Sequence, residues 1–130
     1  MSKVIQFNYL YRDAGNYKQR GSALFTNPKK LGIKEIEQQL RLHFEQRELF
    51  IAHQIGLSEL FFYIKEPITE DDHCYHEFAS VTEIKTVEPE PRNRSISDFL
   101  TDVQAAASVG WKVFSPEDRL PEIRATAENP

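Results

Sequence analysis

Cysteine is nearly missing from this chain: Cys74 is the only one in 130 residues. That excludes an internal disulfide and a zinc centre built on several thiolates, and it fits a reducing cytosol. Nor does any apolar run approach the roughly 18 residues of a membrane span. The opening segment, MSKVIQF, lacks the apolar stretch of a signal peptide. The motifs GxSxG, P-loop, GxGxxG and HExxH, which carry hydrolase, phosphate, dinucleotide and zinc-protease chemistry, do not occur. These absences point to a soluble, cytoplasmic protein without a membrane partner, and no cofactor is expected.

What the chain does contain is enough to fold. Leu, Ile, Val and Phe make up 35 of its 130 residues, above the roughly 20% below which chains tend to stay disordered. The length suits one domain. The net charge of −4 conceals a split. Residues 1–47 carry nine Lys and Arg against four acids, and residues 48–130 carry seven against sixteen. Such an asymmetry suits either a nucleic-acid face or two complementary surfaces of a self-associating protein. The basic residues fall in two groups, however. Arg12, Lys18 and Arg20 belong to one end of a hairpin, and Lys29, Lys30 and Lys34 to the other, which disfavours nucleic acid.

The hairpin spans Val4 to Thr26. Ile5, Phe7, Tyr9 and Tyr11 alternate with Val4, Gln6, Asn8 and Leu10, the period of a half-buried strand. Ala14 to Asn16 suits a three-residue loop with a left-handed residue near its end. Pairing Asp13 with Tyr17 sets Tyr11 against Gln19, Tyr9 against Gly21, Phe7 against Ala23 and Ile5 against Phe25. This register gathers the apolar residues on one face, and a one-residue slip would scatter them. Gly21 is expected to leave room for the Tyr9 ring.

Further elements follow in order. Ile33 to Arg47 has the spacing of an amphipathic helix, with Ile33, Ile36, Leu40 and Phe44 on its stripe. Glu48–Ile55, Leu60–Lys65 and Cys74–Ile84 read as strands. Residues 87–94 are a proline-charged linker. Residues 95–110 form a helix with a Ser95-to-Asp98 capping pattern, expected to dock through Phe99, Leu100 and Trp111. Residues 115–130 read as an unstructured tail. The expected architecture is α+β: a β-grasp-like ββαβββ, mostly antiparallel sheet with one packed helix, plus a C-terminal helix. The single domain covers 1–114, with its core in 1–86.

Two constellations invite chemistry. At the hairpin tip, Arg12, Asn16, Tyr17, Lys18 and Arg20 form a polar set suited to a carboxylate, a phosphate or a protein surface. The stretch from Asp72 through His73, Cys74 and His76 is the one cluster rich in metal-ligand types. Only Cys74 and His76 share a strand face, short of the three or four ligands zinc needs, so distant groups such as His43 or His53 would have to join them. Tyr11-Arg12-Asp13-Ala14-Gly15-Asn16-Tyr17-Lys18, together with His76-Glu77-Phe78, resembles a small bacterial family of uncharacterised proteins over about residues 3 to 84. The resemblance implies a bacterial cytosolic protein and draws attention to the tip and the His76 strand. It implies no activity. The expected function is therefore a non-enzymatic binding or adaptor module for a protein partner or an anionic small ligand. The alternatives are a metal-dependent hydrolase or nuclease at 72–76 and nucleic-acid binding through the basic half.

Overall fold

Ile5, Phe7, Tyr9 and Tyr11 point to one side of β1 (Ser2–Arg12) and are all buried in the computed structural model, which describes residues 2–86 and 94–128. β1 pairs with β2 (Lys18–Thr26) in the expected register, from Ile5 opposite Phe25 to Tyr11 opposite Gln19. The turn closes through the Asp13 N–H donating to the Tyr17 carbonyl at 3.0 Å, with Asn16 left-handed at φ 69°. An asparagine tolerates that conformation because its short side chain bonds locally; here it accepts from Arg12 at 2.6 Å. The space at Gly21 is filled differently from expectation. A Cβ there would lie 2.9 Å from Leu60 Cδ1, so Leu60 takes the gap.

The helix α1 covers Ile33–His43 and ends four residues before the expected Arg47. Phe44 is already extended, and Gln46 and Arg47 both turn left-handed, at φ 51° and 68°. That reversal lets Glu45 and Leu49 exchange backbone hydrogen bonds of 2.8 Å and starts β3 (Leu49–Phe50). Phe44 remains buried and stacks on Phe50 at 4.9 Å.

The ββαβββ order is corrected at two places. Of the strand expected at Glu48–Ile55, only Leu49–Phe50 pairs, and Ala52–Ile55 winds into a 3-10 turn closed by left-handed Gly56. The run at Leu60–Lys65 makes a 3-10 turn over Phe62–Ile64. Its apolar residues do not alternate with polar ones, so a two-faced strand would expose half of them; the turn instead stacks buried Phe61 on buried Tyr63 at 4.5 Å. The last strand, β4 (His76–Thr86), pairs antiparallel along β1. The result is a four-stranded antiparallel sheet of order β2-β1-β4-β3. A bulge at Ala79, between the Tyr9–Phe78 and Asn8–Ser80 pairs, shifts the facing of β4 by one residue. Phe78 and Val81 therefore both point inward despite their odd spacing.

Helix α2 (Ile96–Val109) is capped by the Ser95 hydroxyl, which accepts from the Asp98 N–H at 3.0 Å. Its Ile96, Phe99, Leu100, Val103 and Ala106 join Ile36 and Leu40 of α1 and the inner face of the sheet in one core. Residues 87–93 of the expected linker lie outside the described residues.

The expected tail is corrected as well. Pro116–Arg119 forms a 3-10 turn with a Ser115–Asp118 capping box, followed by α3 (Leu120–Glu128). Pro116 and Pro121 sit in first turns, where a missing N–H costs nothing. The segment's two arginines have partners on the body. Arg119 makes a two-pronged pair with Glu59, at 2.7 and 3.2 Å, and Arg124 donates to the carbonyls of Tyr63 and Glu66. Ile123 is buried beside Tyr11, Phe61 and Tyr63 in a second, smaller apolar cluster.

Candidate functional site

The two stretches singled out in the sequence meet. Once β4 lies on β1, Leu10 faces Glu77, and the tip of the hairpin comes to rest on residues 71–77. Four bonds fix it there. The Ala14 N–H donates to the Asp71 carbonyl at 3.0 Å, and the Tyr11 hydroxyl donates to Asp72 Oδ1 at 2.6 Å. That hydroxyl also accepts from the His73 N–H at 3.2 Å. Finally, His73 Nε2 donates to the Arg12 carbonyl at 2.6 Å, while its Nδ1 accepts from the Tyr75 N–H at 3.0 Å. A carbonyl only accepts, so the ring proton sits on Nε2.

Asp72 in turn holds its own loop, with Oδ2 accepting from the Thr69 N–H at 2.9 Å. Burial and the Asp72 carboxylate push the Tyr11 phenol well above its ordinary pKa. Tyr11 is thus a fixed neutral donor. Replacing it by Phe removes a hydrogen bond to a charged group and should cost about 1.5–3 kcal/mol. Urea unfolding of Tyr11→Phe beside the unaltered chain measures this.

Arg12 reaches across the cleft this arrangement leaves. Its Nε and Nη2 meet Glu77 at 3.1 and 3.2 Å, and Nη1 meets Asn16 at 2.6 Å. The hydrogen bond to Glu77 holds the guanidinium yet more firmly charged. The cleft, about 420 Å³, runs between Arg12, Asp13, Ala14 and Asn16 on one side and Leu49, His73, Tyr75, His76 and Glu77 on the other.

His76 lies behind it, fully buried. Its Nε2 accepts from the Leu60 N–H at 2.8 Å, so the proton is on Nδ1, which has no partner among the described residues. The rings of Tyr9, Tyr11, Phe50 and Phe61 surround it at 4.6–6.2 Å. Burial, with the nearby His73 contributing, lowers its pKa to about 3 and keeps it neutral.

The five tip residues do not form one site. Arg12 and Asn16 line the cleft. Tyr17 and Lys18 line a separate groove of about 350 Å³, with Asp13, Phe62, Glu66, Pro67, Thr69 and Asp72. Arg20 lies opposite Leu10, exposed and outside both linings. The local charge also differs from that of the isolated hairpin. Asp13 and Glu77 accompany Arg12, and Asp13, Glu66 and Asp72 accompany Lys18. The contributions of Glu77, Glu66 and Asp72 were hidden in sequence because they depend on a pairing between residues some 65 positions apart.

The metal-ligand types at 72–76 disperse. Asp72 caps its loop and binds Tyr11, both His73 nitrogens are engaged, and the Cys74 thiol is buried and raised in pKa, partly offset by a hydrogen bond with the Phe114 backbone. Among the described residues, no three His, Cys, Asp or Glu side chains are grouped to hold a metal ion. Nor, among them, is any helix long and apolar enough to cross a membrane. No family model, no curated protein and no solved structure matches the chain.

Proposed function

We propose that this chain is a non-enzymatic binding module that engages a protein partner at the hairpin-tip cleft. The observation that carries this reading is the cleft's construction. Side chains from two distant stretches are locked by hydrogen bonds around an open space whose walls mix Leu49 and Tyr75 with the Arg12–Glu77 pair and Asn16. Fixed polar groups beside apolar surface suit a peptide or protein surface, because little order is lost on binding. The ionisable groups nearby also favour recognition over catalysis. Tyr11 and Cys74 are held neutral by burial, and His76 is neutral and enclosed, so an activated nucleophile or a poised acid–base pair is not at hand.

An anionic small ligand is the less favoured form of this reading. Arg12, the single Lys or Arg of the cleft among the described residues, is already paired with Glu77, and Asp13 adds a second negative charge. A reducing compartment such as the cytosol suits the buried free thiol of Cys74.

Affinity capture from a source extract tests the proposal, with the unaltered chain and an Arg12→Ala variant compared after circular dichroism shows both folded. The expected result is a co-purifying protein recovered with the unaltered chain and lost with the variant. Equal recovery of every partner by both would refute the tip as the recognition surface.

A further inference from the structure

The sheet has two outer edges, and they differ. At one, β2 carries Lys18 and Arg20 and no acid. Its Thr26 end is already occupied, donating to the Arg94 carbonyl at 3.2 Å and bridging Ser95. At the other, β3 covers only His76 and Glu77 of β4, and the Phe78 N–H goes to the Glu48 carbonyl. From Ala79 to Thr86 no further strand lies beyond β4 among the described residues. A strand edge with no neighbouring strand among the described residues over this length is a template for another strand.

We propose that a second copy of this chain occupies that edge, with the two β4 strands antiparallel and symmetric about Ile84. The sequence of the edge is self-complementary in that register. Beyond the bulge, Glu83 and Lys85 share the inner face, opposite Ile5 and Lys3 of β1, and both are exposed. A two-fold axis at Ile84 sets Glu83 of each copy against Lys85 of the other. It also sets the half-buried Ile84, beside Val4 on the outer face, against its own counterpart.

Neighbouring registers are repelled. Centring the axis at residue 83 opposes Glu83 to Glu83, and centring it at residue 85 opposes Lys85 to Lys85. Directly opposed like charges destabilise a pair of strands, and unlike ones stabilise it. Edge charges commonly keep sheets apart; with alternating sign they select one pairing instead. The in-chain contact from Lys3 to Glu83, at 3.8 Å between largely exposed groups, competes only weakly. The resulting eight-stranded sheet leaves both hairpin-tip clefts free, since they lie at the His76 end of β4.

A contact of one short strand is at the small end of protein interfaces, so a dissociation constant on the order of 10–100 µM is expected. Sedimentation equilibrium of the full chain from micromolar to millimolar concentration reads it. Glu83→Lys and Lys85→Glu should each weaken the dimer at least about tenfold, since each turns both cross-strand pairs repulsive. The double exchange, Glu83→Lys/Lys85→Glu, should restore it. Hydrogen exchange should show amides within 82–86 becoming protected as concentration rises. A chain that stays monomeric throughout overturns the proposal. So does a dimer indifferent to both single reversals, or one that the double exchange fails to restore.

Discussion

Replacing Phe99 by Ala should lower the unfolding free energy by about 3–5 kcal/mol, the usual cost of deleting a buried aromatic ring. Phe99 is fully buried. It stacks on Phe25 at 4.5 Å, meets Phe7 edge-on at 5.2 Å, and lies under the Arg94 guanidinium at 5.1 Å. Arg94 is itself tied to the Ile55 carbonyl and to Asp102. The substitution therefore opens a cavity at the meeting point of β1, β2 and α2. Against a total stability of about 5–15 kcal/mol, a loss of this size brings the chain close to unfolding. Guanidinium titration followed by the fluorescence of Trp111, whose indole N–H donates to the His43 carbonyl at 3.0 Å, measures the change. A loss under about 1 kcal/mol would mean that α2 does not contribute to the core.

The second large effect is a pH dependence. His76 folds with a pKa of about 3 because burial excludes its charged form, whereas an unfolded histidine titrates near 6.5. Between those values the unfolded chain holds more protons, so stability rises with pH across the window and falls as pH drops below about 6.5. The slope is about 1.4 kcal/mol per pH unit for a full proton, or roughly 2 kcal/mol between pH 6.5 and 5. His53, lowered by burial and by Arg119 beside it, acts in the same direction.

The two contributions separate in His76→Gln. A glutamine oxygen can still accept from the Leu60 N–H, but the side chain does not titrate. The variant should lose the His76 share of the slope between pH 7 and 5 and retain that of His53. Urea midpoints across this range provide the measurement; an unchanged slope in the variant would place the dependence elsewhere.

Local pattern carried the register of the hairpin. Ile5, Phe7, Tyr9 and Tyr11 alternate cleanly, Gly15-Asn16 supplies turn chemistry, and only one register buries Phe25. Helices α1 and α2 were also legible from the stripes through Ile36 and Leu40 and through Phe99 and Val103, although α1 stops at His43 because two left-handed residues reverse the chain. Where pattern was weak, tertiary packing decided. Leu60 to Lys65 has strand-like composition but no alternation, and it folded into a turn beneath Gly21 and Tyr11. The final segment has the prolines and mixed charges of an unstructured tail, yet Arg119 and Arg124 find partners more than fifty positions away.

For the candidate site, both halves were visible, and their convergence was not. Pairing of Leu10 with Glu77 is a non-local event that no window of sequence contains. The same pairing reverses the apparent charge of the tip, since Arg12 acquires Glu77, and Lys18 acquires Glu66 and Asp72 as neighbours.

The central ladder of the sheet has a consequence for biosynthesis. Asn8 bonds to Ser80, 72 positions later. At about 5–20 residues per second, a ribosome needs roughly 4–14 seconds to make the intervening chain. During that interval the β1–β2 hairpin carries Phe7, Tyr9 and Tyr11 on an uncovered face, and β1 has an open edge. A nascent chain of this protein therefore passes through a stage in which its stickiest surface is complete and its cover has not yet been translated.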